Sequence, residues 1–190
     1  GARQAAAAEL QQGMDRVSHL LVQLLTMARL EASPVQSAAE WVDVAELGRQ
    51  RLAVLSQLAR LRSINVVYEA PEALMSKVNR SGFLSILDNL VDNAIRYTPS
   101  GGRVEVQLTS SDHGLGLSVR DDGPGIAEAD RERVFERFVR LPPAAEQGSG
   151  LGLAIVKRVV ASQAGSLRFI DGLAGRGVGF LVRFPLRQQG

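Results

Sequence analysis

Between residues 10 and 28 apolar positions recur with alternating gaps of four and three: Leu10, Met14, Val17, Leu21, Leu24 and Ala28. That spacing is the seam of a helix in a coiled coil or bundle. Leu20, Leu25 and Leu30 widen the stripe, which favours a four-helix bundle over a two-stranded coil. One helix cannot bury such a stripe alone. The pattern calls for dimerisation or for a neighbouring helix outside this chain; packing back onto the following domain is the alternative. Ser33-Pro34 stops the helix, because proline cannot continue it and restricts the residue before it. Residues 31–40 read as a linker.

After a short extended piece at Trp41-Val42-Asp43-Val44, the pattern predicts a helix over 45–62 with Leu47, Leu52, Leu55, Leu58 and Leu61 on its apolar side. Residues 64–69 are β-like and rich in branched side chains, and 74–78 read as another short strand. A second helix spans 80–97 and ends at Thr98-Pro99-Ser100-Gly101-Gly102. Two alternating strands follow, 103–110 and 115–120, with Asp112-His113-Gly114 as the hairpin turn. Residues 121–126 form a glycine-rich loop, 130–139 a short helix, 141–150 a polar loop and 151–164 a helix. The strands 166–171 and 178–184 close the domain as a hairpin. Helices alternate with antiparallel strands and no parallel crossover is evident, so the expectation is an α/β sandwich, one sheet with helices on one face.

Composition narrows the classes without choosing among them. The 190 residues suit one domain plus a short attachment. Net charge is +2 with scattered basic residues, so no basic stripe points to nucleic acid. The absence of cysteine removes disulfides, zinc-cysteine sites and thiol nucleophiles. No apolar run reaches the roughly 20 residues needed to span a bilayer. The opening Gly1-Ala2-Arg3 leads directly into a helical pattern without methionine, which reads as an excised fragment of a longer protein and leaves membrane attachment of the parent open.

Four segments carry candidate chemistry. In Asn89-Leu90-Val91-Asp92-Asn93-Ala94-Ile95-Arg96-Tyr97, the residues Asn89, Asn93 and Arg96 share one helix face, while Phe83, Leu87, Leu90, Val91 and Ala94 lie roughly opposite. Amide oxygens suit Mg²⁺, which keeps waters and takes phosphate oxygens as partners, and arginine answers phosphate charge. Taken alone, the segment reads more readily as an ordinary amphipathic helix with a polar outer face. The loop Asp121-Asp122-Gly123-Pro124-Gly125-Ile126 could bring a carboxylate to an exocyclic amine such as that of adenine, or be a plain turn. Gly148-Ser149-Gly150-Leu151-Gly152-Leu153 opens a helix, where backbone N–H groups form an anion site. It lacks the Gly-Lys-Ser/Thr ending of a Walker loop. Gly175-Arg176-Gly177-Val178-Gly179-Phe180, taken alone, reads as a turn.

In their order and spacing these segments resemble the GHKL ATPases, the superfamily of gyrase and the histidine kinases, over residues 41–186. The match is closest to sensor histidine kinases of two-component systems. Residues 89–97 resemble their N box, 121–126 their G1 box, Arg133-Val-Phe-Glu-Arg-Phe138 their F box and 148–153 their G2 box. The helix ending Gln23-Leu24-Leu25-Thr26-Met27-Ala28-Arg29-Leu30-Glu31 looks like the second helix of their dimerisation and phosphotransfer bundle. The resemblance implies an α+β chain, a two-layer α/β sandwich of the GHKL/Bergerat ATP-binding type preceded by one bundle helix. Residues 1–31 would be that helix, 32–40 a linker and 41–187 the catalytic ATP-binding domain.

It further implies ATP and Mg²⁺ as cofactors and transfer of the γ-phosphate to a histidine, then to a response-regulator aspartate. Asn93 would be the main metal ligand, with Asn89 assisting. Where ATP-hydrolysing relatives carry a glutamate, Asn89 cannot act as a general base. Arg96 would contact phosphates, Tyr97 would line the pocket, and Asp121 would accept from the adenine amine beside Gly123, Gly125 and Ile126. Residues 141–150 would be a lid hinged at Gly148 and Gly150. Arg137 or Arg140 would reach the phosphates, and Ser149, Leu151, Gly152 and Leu153 would complete the anion site. Phe135 and Phe138 are expected to pack the lid, a structural role being equally open. Two departures from the family pattern are Val178, where threonine is usual, and Asn79, where aspartate often stands.

The family's acceptor histidine precedes an acidic residue and a nearby proline. His19 is followed by Leu20-Leu21-Val22-Gln23 and falls off the heptad seam; His113 lies in a turn. The acceptor helix is therefore expected outside this chain, with a homodimer forming through the bundle in the full-length protein and a parent in the bacterial inner membrane. Two rival readings are an ATP-hydrolysing clamp, against which Asn89 argues, and a degenerate module that only dimerises, against which the intact boxes argue.

Overall fold

In the computed structural model of the chain, residues 13, 21, 25, 39–112, 114–141 and 149–185 are described. The chain divides into two units, Gly1–Val35 and Gln36–Gly190. In the first, Gly13, Leu21 and Leu25 are helical. The rest of the expected seam lies outside the described residues, as do His19 and His113.

The second unit runs β1 (Glu40–Asp43), α1 (Val44–Leu61), β2 (Asn65–Glu69), β3 (Met75–Val78), α2 (Arg80–Tyr97), β4 (Arg103–Ser111), β5 (Gly114–Asp121), α3 (Gly152–Ser162), β6 (Ser166–Asp171) and β7 (Val178–Phe184). Side-chain caps start the first two helices. Asp43 Oδ1 accepts from the N–H groups of Ala45 and Glu46 at 3.0 and 3.2 Å, and from Leu74 N–H at 3.0 Å. One carboxylate thus caps α1 and ties the start of β3 to it. Asn79 Oδ1 accepts from Gly82 N–H at 2.6 Å and from Ser81 Oγ at 2.8 Å. The departure from aspartate at this position therefore keeps a cap, since asparagine and aspartate serve about equally well there.

The main sheet has the order β2-β4-β5-β7-β6. Three of its four pairings are antiparallel, and β2 pairs parallel with β4, Asn65 opposite Arg103 through Glu69 opposite Gln107. The expectation of antiparallel strands alone is corrected here. The connection from β2 to β4 contains β3 and α2, so it is long enough to return the chain in the same direction. β1 and β3 form a separate two-stranded sheet, Glu40 opposite Val78.

Register puts the core on one face. Val106, Val119 and Phe180 lie side by side, then Leu108, Leu117 and Val182, then Leu115 beside Phe184. α2 lies over these rows: Phe83 and Phe184 have ring centroids 6.2 Å apart, and Phe83, Ile86, Leu87, Leu90, Val91 and Ile95 are almost fully buried. α1 is held to α2 by Arg51, whose Nε and Nη2 donate to the two oxygens of Asp88 at 2.5 and 2.8 Å. α1 is tied to β2 by Tyr68 Oη, which donates to Ala45 O at 3.0 Å. Leu61, expected on the apolar side of α1, is exposed, and Ala45, Gly48 and Ala59 fill the buried stripe with Leu47 and Leu52. Small residues there let the helix lie close to Tyr68: a Cβ on Gly48 would collide with its hydroxyl.

The helix expected over 130–139 is instead two single 3₁₀ turns, Glu128–Asp130 and Arg133–Phe135. Phe138 then takes a left-handed φ of 63°, which no helix continues through. Among the described residues no helix is long and apolar enough to cross a membrane.

Candidate functional site

α2 is buried along one side and polar along the other. Asn89, Asp92, Asn93 and Arg96 occupy the polar side, each partly exposed, because the apolar residues repeat at three and four positions and leave one arc uncovered. Asn89 Nδ2 donates to Ser85 O one turn back at 2.8 Å, which orients its amide. The start of α3 meets this arc. A Cβ placed on Gly152 would lie 3.1 Å from Asn89 Oδ1 and 3.6 Å from both Asn93 amide atoms. Glycine at the first position of α3 is what permits that approach. Among the described residues no side chain caps α3, and Leu151 at its N-cap is buried. The first N–H groups of a helix have no partner within it and carry the positive end of its dipole. Two carboxamides therefore face an uncapped, anion-attracting helix start.

A second cluster sits at the end of β5. Asp121 is 5% exposed. Its Oδ1 accepts from Gly123 N–H at 2.9 Å and from Val178 N–H at 3.3 Å. Burial pushes the Asp121 carboxyl above its ordinary pKa, against the pull of those two donors. The loop before β7 closes on it: Leu173 N–H donates to Asp121 O at 2.9 Å, and a Cβ on Gly177 would sit 2.0 Å from that same oxygen. Gly177 and Gly125 both have φ of 76°, and a Cβ on Gly125 would meet Gly177 O at 2.9 Å. Asp122 fastens the same loop from outside, with Arg176 Nη2 at 3.1 Å from its Oδ2 and Arg103 N–H donating to its Oδ1 at 2.8 Å. The Arg103 N–H, more than Arg176, holds the Asp122 carboxyl below its ordinary range.

The two clusters are joined by the end of α2: a Cβ on Gly123 would lie 3.2 Å from Tyr97 O. Tyr97 itself is exposed. Arg96 is engaged with Asp92, Nη2 to Oδ2 at 2.8 Å. Ser149 Oγ accepts from Leu151 N–H at 3.1 Å, and Gly150, at φ 70°, accepts from Phe138 N–H at 2.9 Å. Ile126 and Leu153 are partly buried beside these loops, and Arg137 and Arg140 are exposed. Gly148 lies outside the described residues. Phe135 packs with Phe169 and Phe180, centroids 5.5 and 6.3 Å away, whereas Phe138 is 64% exposed. Sequence reasoning did not single out Asp92 or Gly172. The i,i+4 spacing of Asp92 and Arg96 was an available signal for the first. Nothing local marks Gly172, whose Cβ would strike Arg176 O and Gly177 C from across a loop.

Residues 79–188 match the family described as "Histidine kinase-, DNA gyrase B-, and HSP90-like ATPase". The chain belongs to that family. Within it, this is the ATP-binding catalytic region of a sensor histidine kinase. The swarming motility regulation sensor protein RssA of Serratia marcescens is 37% identical over 179 residues, 93% of this chain and 38% of the relative. The sensor protein kinase PmrB of Pseudomonas aeruginosa is 34% identical over 181 residues, 95% of this chain and 38% of the relative. The chain thus spans under two fifths of the curated relatives it matches. Among solved structures, full-length ShkA in complex with AMPPNP superposes with a TM-score of 0.82 at 28% identity, covering 100% of this chain and 40% of that one. The mycobacterial sensor histidine kinase MprB gives 0.66 at 34% identity, covering 80% of this chain and 100% of that one. This region is an ATP-binding domain.

Proposed function

We propose that this region holds ATP as its Mg²⁺ complex between α2 and the start of α3 and transfers the γ-phosphate to a histidine on a bundle helix outside the chain. The observation that carries the reading is the approach of Gly152 to Asn89 and Asn93. It sets neutral oxygen donors against helix N–H groups that no side chain caps among the described residues, a pairing suited to a metal and the phosphates that share it. Among the described residues no three or more His, Cys, Asp or Glu side chains converge to hold a metal. That fits an ion arriving with its phosphates better than a resident all-protein cage. Asn93 and Asn89 would hold the Mg²⁺, which would offset charge on the β- and γ-oxygens. Arg96 would reach the phosphates, and Arg137 or Arg140 would do so from the lid.

Asp121 would accept from the adenine amine, with Gly123, Gly125 and Ile126 shaping the space for the base. An acceptor imidazole nitrogen would attack the γ-phosphorus; the P–N bond forms as the P–O bond to ADP breaks, and the proton leaves to solvent. No carboxylate stands at Asn89 to activate water, which favours transfer over hydrolysis. Residues 1–31 would supply one bundle helix, 32–40 a linker and 41–187 the catalytic domain. A homodimer would form through the bundle, the phosphoryl group would pass to a response regulator, and the parent would sit in a bacterial inner membrane.

The test mixes the chain with labelled ATP, Mg²⁺ and a bundle helix bearing a histidine. An acid-labile phosphoramidate on that helix, lost in Asn93→Ala, is expected. An acid-stable phosphoester, or unchanged transfer by Asn93→Ala, would overturn the reading.

A further inference from the structure

The polar arc of α2 carries one side chain to which the proposed function gives no part. At about 100° per residue, Asp92 falls beside Arg96 and Asn89, and Asn93 completes the arc. Arg96 Nη2 lies 2.8 and 3.2 Å from the two oxygens of Asp92, and the side chains are 22% and 20% exposed. Two asparagines add no charge, so the arc as a whole is neutral. The neighbouring Asp88 is committed elsewhere, to Arg51 on α1. A polyphosphate arriving here would meet a guanidinium whose charge is already offset by a carboxylate one turn away.

We infer that Asp92 is a specificity-determining residue that makes polyphosphate binding depend on a divalent cation. The inference rests on the phosphates lying along this arc. Metal-free ATP would bring about four negative charges toward the carboxylate and gain little net attraction from the Asp92–Arg96 pair. ATP carrying a divalent ion would bring its own compensation, and the ion would sit between the asparagine oxygens and the phosphates. A like charge at about 8 Å, in an effective dielectric of roughly 40–80, weakens binding on the order of two- to sixfold for each phosphate charge it faces. Asp92 would therefore tax the free nucleotide more heavily than the metal complex.

The experiment is calorimetric titration of the whole chain with ATP in EDTA, ATP with Mg²⁺, and adenosine, comparing wild type, Asp92→Asn and Asp92→Ser. Circular dichroism melts would accompany each variant. Both variants are expected to tighten metal-free ATP by more than about tenfold, to tighten Mg²⁺-ATP at least about fivefold less than that, and to leave adenosine unchanged. Equal shifts for the metal-free and metal-bound forms, or an adenosine shift as large as that of ATP, would assign Asp92 a merely structural role. The underlying placement of the phosphates fails separately: Asn93→Ala would then leave Mg²⁺-ATP affinity at its wild-type value.

Discussion

Gly152→Ala separates binding from stability at one atom. The glycine is helical, so alanine meets no backbone strain, and the change should favour the first turn of α3 by about 0.5–1 kcal/mol. The new methyl would stand 3.1 Å from Asn89 Oδ1, closer than ordinary contact, and 3.6 Å from the Asn93 amide. Asn89 is anchored through Nδ2 to Ser85 O at 2.8 Å, so it can yield only by weakening that bond. The two effects roughly cancel or leave a small gain, and the melting midpoint should hold or rise by about 2–4 °C. Binding should behave oppositely. The methyl would occupy the gap between the asparagine oxygens and the first N–H groups of α3, where a metal-bound phosphate would have to sit on the proposed placement. Displacing one such contact costs about 1.4–2.8 kcal/mol, or 10- to 100-fold in Kd. Titration with Mg²⁺-ATP and with adenosine reads it directly, since on the proposed placement only the first would reach this gap. A folded Gly152→Ala protein that binds Mg²⁺-ATP within twofold of wild type would refute the placement. Equal losses for both ligands would mark Gly152 as a packing residue.

Gly177→Ala should do the reverse: its φ of 76° and a Cβ 2.0 Å from Asp121 O combine strain and overpacking worth about 2–4 kcal/mol, visible as a lower urea midpoint. Because burial raises the Asp121 pKa, adenosine affinity should begin to fall at a pH above the ordinary aspartate range, and Asp121→Asn should bind weakly with that pH dependence gone. The sign for stability follows from the same shift. The folded form holds this proton more tightly than the unfolded chain, so the group's contribution declines as pH rises from 3.8 through the raised value. Asp121→Asn should accordingly be no less stable at neutral pH in a urea melt. Arg176→Ala removes an exposed ion pair to Asp122 worth under about 1 kcal/mol, yet should raise the adenosine Kd severalfold by loosening the loop over Asp121. An unchanged Kd would show that the N–H groups of Leu173 and Val178 hold that loop without the ion pair.

What could be read along the chain was what neighbouring residues decide among themselves. The bounds of α2 follow from an apolar repeat, a capping Asn79 and a terminating Thr98-Pro99, all local. The hairpins β4–β5 and β6–β7 follow from alternation interrupted by turn residues. The parallel pairing of β2 with β4 was hidden because its partners are separated by a strand and a helix, and alternation looks the same whichever way a strand runs. The two 3₁₀ turns near residue 130 replace the expected helix because Phe135 packs across to Phe169 and Phe180 and Phe138 turns left-handed. Side-chain spacing carries no record of such a contact.

The site shows the same division with more consequence. Asn89, Asn93 and Arg96 share a face by arithmetic alone, and the glycines of residues 148–153 announce a helix start that can receive an anion. Neither observation says that the two meet. That meeting depends on α3 crossing α2 at Gly152, which is set by the packing of Val156, Val159 and Val160 into the shared core. The loop before β7 is a sharper case. Read alone, Gly175 to Phe180 was a turn. In the fold one of its glycines, Gly177, is the absence of a side chain against Asp121, whose Oδ1 accepts from the next N–H, that of Val178. A buried acceptor at the end of β5 is thus made by residues more than fifty positions away. Its raised pKa is a property of the fold that Asp121-Asp122-Gly123 alone could not display.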